Sequence, residues 1–407
     1  MIKKLFLLLI IGCQLPTANC QLAHNFKQHI TFLASDSLHG RMTGSKDETN
    51  SALYIEGEFL KNTGLPAMNG KYKGGNYRQP FTYNVKVHGH GEEKGKISGQ
   101  NVAAFIDNHS NQTVIIGAHF DHLGMGDSSH SAYRGEPAVH NGADDNASGV
   151  AMVLELAKQI KQSSFKNNNY VFVLFSGEEL GLYGSKWFAE HMKYDSTSIN
   201  FMLNFDMVGR MDSNKLVVGG VGTSPAWNEA IKNISSPLHL KTTESGVGPS
   251  DHTSFYLKSI PVLHFFTGQH KDYHKPSDDE SKINYAGMEE TFNYIMKLIE
   301  RLDAKGKISF VKTKDDTNEN TPKFTVTLGV MPDYTYDGEG MRIDGITDGK
   351  PASKAELKTG DVVIQLGEVK VTDMTTYMKA LSQLKKGDST KVKVKRGSET
   401  IEHDIHF

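Results

Sequence analysis

Largely apolar runs alternate with helical patterns from residue 23 to residue 302, over most of the 407-residue chain. Five of these runs predict buried strands, at 101–106, 113–118, 170–175, 201–205 and 261–266. Between and around them, apolar residues recur three or four positions apart, and this spacing predicts helices at 25–33, 46–62, 149–160, 185–192 and 287–302. Strands that are apolar on both sides need cover on both faces of their sheet. The pattern therefore predicts an α/β fold in which helices sandwich a mixed sheet of mostly parallel strands.

A change in composition separates residues 323–407 from the rest of the chain. Residues 306–322 are polar and charged and lack apolar periodicity, so we expect a linker there. Beyond it, strand patterns at 341–346, 361–366 and 391–395 and a helix at 374–384 predict a small β-rich unit. The whole chain is also longer than one compact domain usually is. We therefore expect two domains, at 21–305 and 323–407.

The first 20 residues have the order of a secretory signal peptide. Two lysines precede an apolar run at 5–11, and small residues follow before Gln21. The run is too short to cross a bilayer, so we expect cleavage before Gln21 and export to the periplasm or the extracellular space. Alternatively, Ile10-Ile11-Gly12-Cys13 is a lipoprotein pattern that would leave a lipid anchor on Cys13.

Cysteine content and charge each exclude a class of chemistry. The two cysteines are Cys13 and Cys20, so cleavage before Gln21 leaves none. Disulfides and cysteine ligands are then excluded from the mature protein. The chain has 45 Lys and Arg against 47 Asp and Glu, for a net charge of -2. No overall charge therefore draws it to nucleic acid or to a membrane surface.

Potential metal ligands follow the ends of the predicted strands. In chain order they are His119, Asp144, Glu179, Asp206 and His274. Functional groups in such sheets gather outside the carboxyl ends of the strands, so we expect these side chains to meet. Histidine nitrogens and carboxylate oxygens are the ligands that zinc takes in hydrolytic sites. Two zinc ions about 3.5–4 Å apart can share one carboxylate and one water, and this set supplies a histidine and a carboxylate for each metal plus one to bridge them.

Each of these residues alone also fits an ordinary structural role. Asp and Asn in GADDNASG commonly cap a helix N-terminus, and two glutamates before a glycine-rich turn commonly begin a solvated helix. The combination at successive strand ends is what indicates a two-metal hydrolase site. Glu178, next to Glu179, could then transfer the proton, because adjacent side chains at a strand end point in different directions.

Six motifs in a fixed order carry a resemblance to a known family. HFD, GADDNASG, SGEELGLYGS, NFDMVG, SDHTSF and YHKPSD resemble the co-catalytic di-zinc aminopeptidases of the bacterial leucyl-aminopeptidase and aminopeptidase Y type. The segment LASDSLHGRMTGSKDETNSALYIEGEFLKNTGL is similar to the start of their catalytic domains, so the resemblance runs from about residue 29 to residue 302. It implies the zinc exopeptidase fold, two Zn²⁺ per chain and peptide substrates with a free N-terminus. It also implies an aminopeptidase that uses a zinc-bridging hydroxide, and the predicted signal peptide makes it a secreted one.

The resemblance implies a role for each matching ligand. His119 and Asp206 would hold one zinc, and Glu179 and His274 would hold the other. Asp144, the first Asp of GADDNASG, would bridge them, and the peptide bond after it is typically cis in the family.

Three further residues have roles by the same resemblance. Asp121 would orient His119, Glu178 would be the general base and then the general acid, and Tyr273 would polarise the scissile carbonyl. Asp251 and His252 of SDHTSF line the pocket in most members, so we leave them out of the ligand set. The remaining histidines lie in or beside a long polar loop, 124–141, that could shape substrate access, and we interpret them as bystanders: His122, His130 and His140.

Three alternatives share parts of this pattern. A single-zinc glutaminyl cyclase of the same fold would lack a complete second set of ligands, whereas His119 and Asp206 are both present. A carboxypeptidase would need a basic residue for the substrate carboxylate, and the sequence does not locate one. A non-catalytic peptide-binding protein could keep the fold without an intact site.

The C-terminal unit resembles a PDZ domain of the bacterial, protease-associated type. The resemblance rests on TLGVMPDY, GMRIDGITDGKPASKAELKTGDVVIQLGEVKV and LKKGDSTKVKVKRG. It implies that a peptide C-terminus binds as an added strand, with its carboxylate in a backbone loop formed by Thr327, Leu328, Gly329 and Val330. Alternatively, the unit is a PDZ fold that packs on the peptidase and binds nothing.

Overall fold

A computed structural model describes residues 17–63, 65–67, 76–86, 94–126, 131–133, 135–192, 196–313, 326–332, 336, 338–347, 349–372 and 374–407. Three parts of the sequence analysis lie outside the described residues: the predicted signal peptide up to residue 16 with Cys13, His130, and positions 314–322 of the predicted linker. None of the helices in the described part of the chain combines the length and apolar character that a membrane span requires.

The first unit is built on an eight-stranded mixed sheet. Its strands are β1 (Arg78–Lys86), β2 (Lys94–Ile106), β3 (Thr113–His119), β4 (Asn169–Phe175), β5 (Ile199–Phe205), β6 (Lys215–Gly219), β7 (His239–Thr243) and β8 (Val262–Phe266). Their order is β1-β2-β4-β3-β5-β8-β6-β7. The central strands β4, β3, β5 and β8 are parallel, whereas β1, β2 and β6 pair antiparallel with their neighbours towards the centre. The carboxyl ends of the four central strands therefore lie along one edge.

Helices cover both faces of this sheet. They are α1 (Thr17–Leu33), α2 (Lys46–Glu58), α3 (Gly149–Gln162), α4 (Tyr183–His191), α5 (Pro225–Ile231), α6 (His252–Tyr256) and α7 (Tyr285–Asp303). Strand β4 shows why cover is needed on each side, because its successive side chains point to opposite faces. Tyr170 and Phe172 belong to the apolar cluster under α1, α3 and α7, whereas Val171 and Val173 belong to the cluster under α4 and α6.

The predicted sandwich of helices around a largely parallel sheet is confirmed. The predicted central strands and long helices are present, with ends that differ by a few residues. The prediction missed β1, β6 and β7, which lie at or near the edges of the sheet. Edge strands such as His239–Thr243 are half-exposed and mix polar with apolar residues, so they lack the apolar run that marks a buried strand.

The start of the predicted linker does not behave as a linker. Ile308 is buried in the core of the first unit, and its N–H donates to the Asn200 side chain at 2.9 Å. The Phe310 ring packs against Tyr256 with centroids 5.6 Å apart, and the Val311 N–H donates to the Thr223 carbonyl at 2.8 Å. The prediction was wrong for residues 307–313 because the apolar Ile308, Phe310 and Val311 stand among polar neighbours.

The C-terminal unit has an antiparallel sheet of the order β14-β13-β11-β10-β9, with β12 paired to β11. Its strands are β9 (Val330–Pro332), β10 (Met341–Ile346), β11 (Val362–Leu366), β12 (Val369–Lys370), β13 (Ser389–Arg396) and β14 (Glu399–His406). Helices α8 (Pro351–Lys354) and α9 (Met374–Ser382) accompany the sheet. A separate apolar cluster, which includes Leu328, Val363 and Val392, forms the core of this unit.

Candidate metal centre

The predicted site residues sit at the common carboxyl edge of the parallel strands. His119 is the last residue of β3, Asp206 follows β5 directly, and Glu179 lies four residues beyond β4. His274 lies in the loop after β8. All four side chains meet at this edge, although up to 155 residues separate them in sequence.

The structure joins these side chains through one carboxylate. Asp145 Oδ1 lies 3.2 Å from His119 Nε2, and Asp145 Oδ2 lies 3.2 Å from His274 Nε2. On the first side, Asp206 Oδ1 is 3.4 Å from His119 Nε2. On the second side, Glu179 Oε2 is 3.0 Å from His274 Nε2. Asp145 thus faces two separate histidine–carboxylate pairs with its two oxygens.

The prediction that Asp144 bridges is wrong by one residue. The buried Asp144 carboxylate turns away and accepts hydrogen bonds from the Gly209 N–H at 2.6 Å and the Ser148 hydroxyl at 3.0 Å. Its second oxygen lies 3.1 Å from His270 Nε2. The backbone at Asp145 leaves helical geometry, with φ −103° and ψ 89°, and the cis peptide bond joins Asp145 to Asn146. Only the second Asp of GADDNASG therefore reaches the histidines.

The spacing of these atoms fits zinc. Two ligand atoms that each lie about 2.0–2.1 Å from a tetrahedral zinc are about 3.3–3.4 Å apart. The four histidine-to-carboxylate separations, 3.2, 3.4, 3.2 and 3.0 Å, are close to that value. Imidazole nitrogen and carboxylate oxygen are also the donors of hydrolytic zinc sites. The residues on both sides of the Asp145 carboxylate therefore have the donor atoms and the spacing that zinc requires.

His122 is a site residue that the sequence analysis interpreted as a bystander. Its Nδ1 lies 2.6 Å from Glu179 Oε1, and its ring contacts that of His274 with centroids 5.9 Å apart. His122, Asp145 and Glu179 could also hold a metal ion together. His140 lies further out, where its Nε2 and Nδ1 meet the Ser131 hydroxyl and the Ala138 carbonyl. His122 stands only three residues after His119, and that spacing was the available signal.

Asp121 lies beside the Nδ1 atom of the His119 ring. The Nδ1 atom of His119 is 3.3 Å from the Asp121 carbonyl oxygen and 3.7 Å from its carboxylate. A hydrogen bond at Nδ1 leaves Nε2 free to face a metal. The buried carboxylate itself accepts from the Thr43 hydroxyl at 2.7 Å and the Glu178 N–H at 3.3 Å. Asp121 thus connects the His119 ring to the loop that carries Glu178.

The pKa values of the two adjacent glutamates are shifted in opposite directions. Burial raises the pKa of Glu178 well above its usual value, and the nearby Asp206 and Asp251 carboxylates add to the increase. Burial would also raise the pKa of Glu179, but His274 and the hydrogen bond from His122 lower it to about 2. Glu179 is thus held ionised as a ligand must be, and Glu178 holds a proton more readily than a solvated glutamate does.

Nearby carboxylates strongly raise the pKa values of the two histidines that face Asp145. Burial would lower the pKa of His119, but Glu178 and Asp206 raise it well above its usual value. Glu179 and Asp145 raise the pKa of His274 in the same way against the effect of burial. Such an excess of negative charge in a buried site favours cations.

Tyr273 lies directly beside the site. Its ring stacks on that of His274, with centroids 3.8 Å apart and an angle of 21°. Burial and the nearby Asp145 and Glu179 carboxylates raise the pKa of Tyr273 well above 10. The phenol therefore stays protonated, which a hydrogen-bond donor needs.

Asp251 and His252 line the interior beyond these groups. The His252 ring stacks on His264 with centroids 4.5 Å apart, and burial lowers the pKa of both histidines. Burial raises the pKa of Asp251 to about 7. Neither residue belongs to the two groups of potential metal ligands found among the described residues.

Residues 101–299 match peptidase family M28, and residues 308–406 match the PDZ domain. A probable leucine aminopeptidase of Arthroderma otae is 31% identical over 173 residues, which cover 40% of this chain and 45% of that protein. The chain spans about half the length of the curated relatives that it matches. The predicted peptidase family and the predicted PDZ-like unit are both confirmed.

Solved structures share the fold at low identity. The Legionella pneumophila LapA aminopeptidase is 19% identical with a TM-score of 0.54, over 75% of this chain and 79% of that chain. The Porphyromonas gingivalis glutaminyl cyclase is 15% identical with a TM-score of 0.55, over 69% of this chain and 98% of that chain. At these identities the likeness shows the fold alone, and the fold serves a peptidase and a cyclase alike. Residues 101–299 thus match peptidase family M28 and residues 308–406 match the PDZ domain, and the first unit has the fold of a solved aminopeptidase.

Proposed function

We propose that this chain is a secreted, zinc-dependent aminopeptidase that removes N-terminal residues from peptides. The observation that carries the proposal is the Asp145 carboxylate, whose two oxygens each lie 3.2 Å from a histidine Nε2 atom. A carboxylate in that position can bind two metal ions at once. The match to peptidase family M28 supports the reaction class.

Each proposed zinc would have a histidine and a carboxylate of its own, and the two would share Asp145. His119 and Asp206 would complete one set, and His274 and Glu179 the other. When bound, the two zinc ions would activate a water molecule and polarise the scissile carbonyl. Imidazole must be neutral to bind metal, so both histidines would release their protons as zinc binds.

Residues outside the ligand set would handle the proton and the developing charge. Glu178 would take the proton from the attacking water and return it to the leaving amine. Its raised pKa supports this role, since a proton carrier must both accept and release. The protonated Tyr273 hydroxyl would donate a hydrogen bond to the carbonyl oxygen as negative charge builds there. Asp121 would keep His119 in the orientation that the metal needs.

A single-zinc glutaminyl cyclase is the alternative within the same fold, and the two functions differ in metal number. In a one-zinc enzyme, the pair formed by His119 and Asp206 would have no metal to hold. Their side chains instead lie 3.4 Å apart beside a shared carboxylate, which favours the two-zinc peptidase.

The proposal can be tested on purified residues 21–407. Amino-acid p-nitroanilides should be hydrolysed only with zinc present, and the protein should bind two zinc ions. Glu178→Gln should abolish turnover and keep both zincs, whereas loss of zinc would make Glu178 a ligand. One bound zinc and pyroglutamate formation from N-terminal glutamine peptides would support the cyclase. N-terminal sequencing of the exported protein would test cleavage before Gln21, and a lipid on Cys13 would overturn it.

We also propose that the PDZ domain binds the free C-terminus of a peptide at residues 327–330. Gly329 has φ +76°, and a Cβ there would come within 2.1 Å of the Lys350 side chain, so only glycine fits. The Leu328 and Gly329 carbonyls accept hydrogen bonds from Ala352 and Thr347, which supports a rigid loop. The full chain should bind peptides with a free C-terminus and should lose binding when the peptide is amidated. Equal binding of the amidated peptide would contradict this proposal.

A further inference from the structure

One buried arginine contacts both the end of the strand that carries His119 and the turn that carries Asp145. Arg41 is fully buried. Its Nε donates to the Phe120 carbonyl at 2.7 Å, between His119 and Asp121. Its Nη2 donates to the Gly142 carbonyl at 2.7 Å and reaches the Asp145 carbonyl at 3.4 Å. Nη1 donates to the carbonyls of Leu33, at 2.9 Å, and Asn141.

All five acceptors are backbone carbonyls, and Arg41 forms no ion pair with another described residue. Burial of a guanidinium is costly even with the Asp145 and Asp121 carboxylates nearby, so it persists only where its hydrogen bonds are well placed. Here they fix the end of β3 relative to the turn 141–145. Lysine could not replace it, because a single ammonium has three donors and lacks the planar fork that reaches two segments.

Met42 and Thr43, which follow Arg41, contact the residues that follow Phe120. The Arg41 carbonyl accepts the His122 N–H at 3.4 Å, and Met42 pairs with His122 as a parallel bridge. The Thr43 hydroxyl donates to the Asp121 carboxylate at 2.7 Å. The segment 41–43 therefore touches the backbone or side chain of every residue from Phe120 to His122.

We propose that Arg41 and Thr43 are positioning residues of the metal centre, and this inference rests on the proposed two-zinc function. Arg41 sets the distance between the strand that carries His119 and the turn that carries Asp145. Thr43 fixes the Asp121 carboxylate that lies under the His119 ring. Neither residue touches a reacting atom. Their effect should appear as tighter zinc binding and faster turnover, since the ligand atoms are held at the separation zinc requires.

The test compares Arg41→Lys and Thr43→Val with two controls. Arg301 donates to the Ala230 carbonyl at 3.2 Å and the Asn233 carbonyl at 2.9 Å, and neither acceptor belongs to a segment that carries a site residue, so Arg301→Lys controls for lost carbonyl contacts. Thr43→Ser keeps the hydroxyl and should restore what Thr43→Val loses. Folding is followed by circular dichroism, zinc dissociation constants by chelator competition, and kcat and KM at saturating zinc.

Arg41→Lys and Thr43→Val should each weaken zinc binding about 10–100-fold. Both should lower kcat with little change in KM, while Arg301→Lys and Thr43→Ser keep the wild-type zinc affinity. Wild-type zinc affinity in Thr43→Val, or an equal loss in Arg41→Lys and Arg301→Lys, would overturn the proposal. If Arg41→Lys fails to fold, the Thr43 pair decides the matter alone. Zinc affinity is measured without substrate, so a wild-type protein that lacks aminopeptidase activity would refute the proposed function and leave this comparison intact.

Discussion

Replacing Asp144 and Asp145 one at a time should change different properties of the protein, its stability in one case and its zinc binding in the other. The two residues are adjacent and both fully or nearly buried, but their carboxylates face different partners. Asp144 bonds to the Gly209 N–H, Ser148 and His270, whereas Asp145 faces His119 and His274. We expect Asp144→Ala to weaken the fold and keep zinc, and Asp145→Ala to lose zinc.

The cost of Asp144→Ala follows from the groups that it leaves without partners. The Ser148 hydroxyl can still donate to the Asp144 carbonyl, 2.8 Å away. The Gly209 N–H and His270 Nε2 lose their acceptor in a buried site, at about 1–3 kcal/mol each. The free energy of unfolding should therefore fall by about 2–6 kcal/mol. Asp144→Asn keeps one oxygen for the Gly209 N–H and should cost only about 1 kcal/mol.

Two measurements on each variant check this expectation. Unfolding by guanidinium chloride is followed by tryptophan fluorescence, because both tryptophans, Trp187 and Trp227, lie in the first unit. A chelator is present, so that the stabilising effect of bound zinc does not enter the comparison. Zinc content is measured separately after gel filtration. Zinc loss from Asp144→Ala equal to that from Asp145→Ala, with unchanged unfolding, would refute the assignment.

Two further predictions concern buried carboxylates other than Asp144 and Asp145. Burial opposes the ionisation of Asp272, but hydrogen bonds from Lys282, Ser277 and Arg210 lower its pKa to about 2. Because the pKa of an unfolded Asp is about 3.9, this carboxylate should add about 2–3 kcal/mol to the free energy of unfolding above pH 4, and this contribution should be lost as the pH falls towards 2. With a chelator present, Asp272→Asn should reduce the change in the free energy of unfolding between pH 4 and pH 2. The same pH dependence in the variant and the wild type would contradict this prediction. Asp303 accepts five hydrogen bonds from residues 166–170, at 2.8 to 3.2 Å. Asp303→Ala should lower the free energy of unfolding by about 3–5 kcal/mol, and a loss below 1 kcal/mol would be inconsistent with these contacts.

The sequence predicts the edge of the sheet where the site lies because parallel strands bring their carboxyl ends together. His119 ends such a strand, and Glu179 and Asp206 follow one, so their convergence depends only on strand order and direction. The choice between Asp144 and Asp145 depends instead on the backbone angles of one turn. Both residues are aspartates within the same motif, so residue type and spacing favour neither.

The supporting residues were beyond prediction for a different reason. Arg41 and Thr43 precede the residues of the metal centre that they contact by about 80 to 100 positions, and no periodicity links them. The contacts of Arg41 are all to backbone carbonyls, which carry no sequence signal. His122 faces the site only because β3 ends three residues earlier and the chain then turns.

The most direct test of the two-zinc centre is anomalous X-ray diffraction at the zinc edge from crystals grown with zinc. We expect two anomalous peaks about 3.5–4 Å apart, with the Asp145 carboxylate between them. His119 and Asp206 should lie beside one peak, and His274 and Glu179 beside the other. A single peak, or two peaks joined by Asp144, would contradict the proposal of two zinc ions bridged by Asp145.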